Sequence, residues 1–101
     1  MSINEKWFVE SELGQEIGEV IDAWDNALEE EWLGTDRYDS KANIRRKEAS
    51  LWCQAQWMAY QKALKHITGN EYFFTRTDDY YGICTEDESE FLYKKEREKH
   101  E

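Results

Sequence analysis

The sequence contains no proline, two cysteines and two histidines. Each scarcity excludes something. Without proline, nothing in the covalent chain interrupts a long helix. Cys53 and Cys84 lie far apart and outside any Cys-x-x-Cys spacing. Free thiols in a reducing compartment are therefore expected, not a disulfide scaffold or a thiolate metal site. Bases are also short: 13 Lys and Arg stand against 23 Asp and Glu, for a formal net charge of −10. Direct binding to nucleic acid or to an anionic membrane needs clustered Lys and Arg, so neither is expected. No apolar run approaches the roughly 18 residues of a membrane span. Residues 1–10 carry no basic n-region and no apolar h-region of a secretory leader, which makes the cytoplasm the expected location.

Catalytic signatures are missing as well. The sequence has no glycine-rich phosphate loop, no His-Glu-x-x-His, no Gly-x-Ser-x-Gly and no calcium-loop spacing. His66 falls near the end of an expected helix, where an imidazolium suits the negative dipole end, and His100 falls in the tail. Either thiol could pair with His66 only if folding brought the two together. No spacing singles out a carboxylate pair or a ligand set. No catalytic residue, metal or cofactor is expected.

What the chain does have is aromatics. Five Trp, six Tyr and four Phe make 15% of its 101 residues, beside 36% charged. Disordered acidic tails are poor in aromatics, so this chain should fold. Its length suits one domain with a real core.

The charge divides the chain into three. Residues 1–34 hold ten acids and one base, a net −9; residues 35–69 hold three acids and seven bases, a net +4; residues 70–101 hold ten acids and five bases, a net −5. The divisions at Gly34-Thr35 and Gly69-Asn70 are turn and helix-stop signals.

In the first segment Leu13, Ile17, Val20, Ile21, Trp24 and Leu28 recur at three- and four-residue steps, the pattern of an amphipathic helix over about residues 11–33. Gly34 suits its C′ position. Ser2-Ile3-Asn4-Glu5 reads as a capping box and Ser11 as a second candidate cap, with Trp7, Phe8 and Val9 either continuing the helix or docking as a short arm. Gly14 and Gly18 lie one turn apart, and simple tolerance is favoured over a close approach by another segment.

The second segment predicts a helix over about residues 40–67, opened by Asp39 or Ser40 after the turn-like residues 35–39, and closed by Thr68-Gly69-Asn70. Ile44, Leu51, Ala55, Met58, Trp52, Ala59, Cys53, Trp57, Tyr60 and Leu64 make it apolar around most of its circumference. Such a helix is either wrapped by both other segments or forms a homodimer seam.

The third segment changes period. Tyr72, Phe73, Phe74, Tyr80 and Tyr81 flank Thr77-Asp78-Asp79, which reads as a β-hairpin over about residues 71–85 with rings on both faces. Residues 86–96 are ambiguous. Thr85-Glu86-Asp87-Glu88 is a capping-box pattern that slightly favours a helix, while Glu90 to Lys94 equally fits a third strand. Residues 95–101 have no apolar anchor and should fray. The fold class expected is α+β and mainly helical, with two long helices and a small antiparallel hairpin or three-stranded unit in a single domain.

The first helix carries the most informative feature. Glu12, Glu16, Glu19, Asp22, Asp25, Glu29 and Glu30 lie off its apolar stripe with almost no lysine among them. Solvated helices ordinarily interleave both signs, because like charges one turn apart repel. The array either serves solubility, neutralised in part by Arg45, Arg46 and Lys47, or presents phosphate-like charge to a basic groove. In the second case the protein would be a non-enzymatic inhibitor of a nucleic-acid-processing enzyme. Small acidic inhibitors made by phages against host defence nucleases, anti-CRISPR proteins among them, work this way as a class, and the analogy here is by charge alone. Asp78, Asp79, Tyr80 and Tyr81 at the hairpin tip form a second candidate patch for a basic protein surface, since tyrosine is a favoured interface anchor. The alternative is a structural or regulatory subunit that homo-oligomerises through the central helix.

Overall fold

A computed structural model describes residues 5–33 and 40–97, apart from the side chains of Trp32, Leu33 and Ser40. The chain is an α+β domain, mainly helical, with two long helices and a three-stranded antiparallel sheet. The elements run α1 (Glu5–Glu10), α2 (Glu12–Leu33), α3 (Ser40–Thr68), β1 (Phe73–Arg76), β2 (Tyr80–Cys84) and β3 (Phe91–Glu96). The Ser2 capping box, the Gly34 stop, the 35–39 turn, Asp39 as a cap, His100 and residues 98–101 lie outside the described residues.

Trp7, Phe8 and Val9 do not continue α2. They form the separate helix α1, and the chain bends at Ser11. Ser11 is the cap that opens α2: the Gly14 amide donates to its Oγ at 3.0 Å, and the Gln15 amide to its carbonyl at 2.9 Å. Fold-back at this corner brings the Phe8 carbonyl so close to Gly14 that an added Cβ there would lie 1.8 Å from the oxygen. Gly14 is thus required by a close approach and not merely tolerated. At Gly18 the nearest neighbour, the Tyr93 ring, is 3.6 Å from the same imagined atom.

Helix α3 is as long as expected. It ends where Gly69 adopts φ +78°, a left-handed conformation open to glycine, and its amide donates to Lys65 O at 2.7 Å. Its buried side, Ser50, Cys53, Trp57 and Leu64, packs along α2. Near its C-terminal end Gln61 Nε2 donates to Tyr72 O at 2.6 Å.

The three strands form a meander, β1-β2-β3. Ile83 pairs with Tyr93 and Cys84 with Phe91, so Leu92 is an extra residue at a bulge. Phe8, Ile17, Ile21, Trp57, Leu64, Tyr72, Tyr81, Ile83 and Leu92 make one buried cluster contributed by α1, α2, α3 and the sheet side. Trp24 stacks on Phe74 with centroids 4.0 Å apart.

Three further expectations change. The first concerns which helix is central. It is α2, with α3 against one side and the sheet against another; α3 is not wrapped. Ile44, Leu51, Trp52 and Met58 stand exposed on its far side, Trp52 at 68%. The second is that residues 91–96 are a strand and not a helix. Thr85-Glu86-Asp87-Glu88 forms a turn instead of a cap: the Glu88 amide donates to Thr85 O at 2.9 Å, and Glu88 takes a φ of 59° that returns the chain toward β2. Asp87 Oδ1 accepts from Thr85 Oγ1 and Ser89 Oγ, each at 2.7 Å, and from the Ser89 amide. These bonds, Ser89's first, hold the Asp87 carboxyl down to about 2. The third is that Lys95 and Glu96 complete β3 and Arg97 is anchored by ion pairs, so fraying does not begin at residue 95.

Candidate interaction surfaces

The seven carboxylates of α2 resolve into two ridges. At 100° per residue, Asp22, Asp25 and Glu29 fall within roughly 60° of one another, and Glu12, Glu16, Glu19 and Glu30 fall within another arc of roughly 60°, on a different side. The first ridge faces the sheet. Asp22 Oδ1 accepts from Tyr81 OH at 2.7 Å and Tyr93 OH at 2.6 Å, and Oδ2 pairs with Lys95 Nζ at 2.9 Å. Asp25 Oδ1 pairs with Arg76 Nε at 2.8 Å and Arg97 Nε at 3.3 Å. Glu29 Oε2 accepts from Arg76 Nη2 at 2.7 Å and also from Arg97 Nη2. Every strand thus donates to this ridge. Burial first, and then the bond to Asp22, pushes the Tyr81 and Tyr93 hydroxyls well above the ordinary phenol range. The Asp22 bond likewise raises Lys95.

These cations are not the ones the sequence put forward. Arg76, Lys95 and Arg97 are the cations that pair with Asp22, Asp25 and Glu29. Arg46 donates to Asn43 Oδ1 at 3.1 Å, and Arg45 and Lys47 stand exposed. The only signal for the true pairing was alternation: Arg76, Tyr81, Tyr93 and Lys95 fall on one face of the meander once its register is known.

The second ridge faces outward. Glu12, Glu16, Glu19 and Glu30 are exposed, with no hydrogen bond or ion pair among the described residues. Glu12 and Glu16 also lie near the positive end of the helix dipole.

The hairpin tip is divided. Asp78 and Asp79 are exposed in a turn whose Thr77 Oγ1 accepts from the Asp79 amide at 3.2 Å and the Tyr80 amide at 3.1 Å. Arg97 braces it, donating Nη1 to Thr77 O and its amide to Asp79 O, each at 2.9 Å. Tyr80 lies half-buried on the outer face of the sheet, its ring edge-on to Phe91 with Lys94 Nζ 4.4 Å above it. Tyr81 points inward and is buried, so the structure does not bring it to the surface with Tyr80.

Among the described residues, no three His, Cys, Asp or Glu side chains gather to hold a metal. Burial pushes both thiols up, at Cys84 with help from the charges of Glu88 and Asp87. His66 is exposed. A shallow depression beside Glu71, Phe73, Glu86 and Glu90 is acidic, and the Asp87 carboxylate at its rim is engaged by Thr85 and Ser89. No helix of the described residues is long and apolar enough to cross a membrane. The chain matches no family model, and no curated protein or solved structure matches it either.

Proposed function

We propose that this protein is a non-enzymatic interaction module whose outward acidic ridge engages a basic surface on a protein partner. The observation that carries this reading is that Glu12, Glu16 and Glu19 make no hydrogen bond or ion pair among the described residues, on a helix held on its other sides by α3 and the sheet. Carboxylates on a fixed backbone lose little conformational freedom on binding. At 1.5 Å per residue these three span about 10.5 Å. One strand of duplex DNA carries a phosphate per roughly 3.4 Å, so the ridge has a lower but comparable linear charge density. The partner class that fits is a nucleic-acid-processing enzyme with a basic groove, such as a defence nuclease, and binding would inhibit it by competition. The cytoplasm is the setting that keeps thiols such as Cys53 and Cys84 reduced.

The experiment is affinity capture with the native chain and with a Glu12→Lys, Glu16→Lys, Glu19→Lys variant. The native chain should retain a basic protein that elevated salt or a polyanion releases, and the variant should not. Equal retention by both would overturn the proposal.

A further inference from the structure

We infer that the open face of α3 is a self-association surface, and that two copies pack antiparallel across it with their axis of symmetry at Ala55. This goes beyond the acidic-ridge reading and uses the other side of the molecule. Helix α3 buries one apolar stripe on α2 and exposes a second. Taking Trp57 as the centre of the buried side, Ile44, Glu48, Leu51, Trp52, Ala55, Met58, Ala59 and Lys62 occupy an opposite arc of roughly 120°. Ile44 is 57%, Leu51 50% and Met58 53% exposed, beside Trp52. Scattered surface apolar residues are ordinary, but one continuous stripe of this kind marks an interface.

The charges on the stripe identify the occupant. Glu48 and Lys62 are both exposed and have no hydrogen bond or ion pair among the described residues. Fourteen residues separate them, about 21 Å along the helix, so they cannot meet within one copy. They are equidistant from Ala55. A two-fold axis there sets Glu48 of each copy against Lys62 of the other, as an isologous interface requires. The same register brings Trp52 of one copy beside Ala59 of the other on one flank, Met58 beside Leu51 on the opposite flank, and Ala55 against its own mate. Trp52 then meets a small side chain and Leu51 a pliable one. A parallel arrangement would oppose Glu48 to Glu48 and Lys62 to Lys62. The outward acidic ridge lies on α2 and not on this stripe, and at physiological salt its repulsion is screened beyond about 8 Å.

Sedimentation across micromolar to millimolar concentration tests this. The native chain should dimerise reversibly, and raised salt should leave the dimer in place. Glu48→Lys alone and Lys62→Glu alone should each weaken it roughly fivefold or more, because each change makes two like-charge contacts. The double swap should recover the native dissociation constant to within about twofold, since the pair interacts directly. Leu51→Glu should weaken it about 30-fold or more by burying a carboxylate at the centre. All three positions are solvent-exposed helix sites, and circular dichroism checks that each variant stays folded. A native chain that is monomeric throughout would overturn the proposal, as would a dimer indifferent to the single changes or unrestored by the double swap. The acidic-ridge reading is tested separately: lysines at Glu12, Glu16 and Glu19 should leave the dimer intact, and partner capture that survives them overturns that reading and not this one.

Discussion

Asp22 shows how much one side chain can organise. A single carboxylate receives two phenol hydroxyls and an ammonium from two strands, and so fixes where the sheet sits on α2. The pH consequence has a definite sign. The native state holds the Tyr81 and Tyr93 protons above the ordinary value of 10.0, so above pH 10 the unfolded chain binds fewer protons than the native one. Stability is complete below pH 10 and falls as pH rises beyond it. Urea midpoints at pH 8 and pH 11 should show the decline, and Tyr81→Phe should reduce its steepness. The two helical glycines make a second contrast. Gly14→Ala should destabilise by about 3 kcal/mol or more, because the methyl collides with backbone that cannot turn aside. Gly18→Ala meets only ordinary contact and should be neutral or stabilising by up to about 1 kcal/mol, through helix propensity. Thermal melts of the two variants separate these outcomes. The sequence shows two glycines one turn apart and cannot distinguish them, because the difference lies in where Phe8 returns.

Among elements, long periodic segments were legible and the short C-terminal one was not. The α2 stripe and the α3 span follow from spacing and stop signals that act within a few residues. The strand β3 does not. Thr85 to Glu88 satisfies a capping box as well as it satisfies a turn, and the choice is made by β2, whose free edge pairs with Phe91 to Glu96. The end of β3 is secured by charge. Arg97 and Asp25 are each 14% exposed, and Arg97 also reaches Glu29. Arg97→Ala leaves partly buried carboxylates with one cation fewer and should cost about 2 kcal/mol, since Arg76 continues to serve both. Denaturant titration measures the loss, and amide exchange should quicken first in β3 and at the hairpin tip that Arg97 braces.

For the whole molecule, the net charge of −10 is divided by function. One ridge of α2 is internal glue and the other is surface. Replacing Glu12, Glu16 and Glu19 by lysine should leave the chain folded and cost about 1 kcal/mol, mostly from the charge reversal at the α2 N-terminus. Replacing Asp22, Asp25 and Glu29 by lysine should prevent folding, because each would oppose Arg76, Lys95 or Arg97 across the seam. Circular dichroism on the two triple variants decides the assignment.

The sequence by itself determined the α+β class, the extents of both long helices, the hairpin and the concentration of acid on one helix. Periodicity, stop signals and composition are local properties, and local interactions read them directly. Tertiary structure alone decided that α2 and not α3 is central, that three of its acids face the sheet, and that Arg76, Lys95 and Arg97 meet them. Those pairings join residues about fifty to seventy apart, and their partners are chosen by strand register and helix packing, which no short stretch of sequence contains.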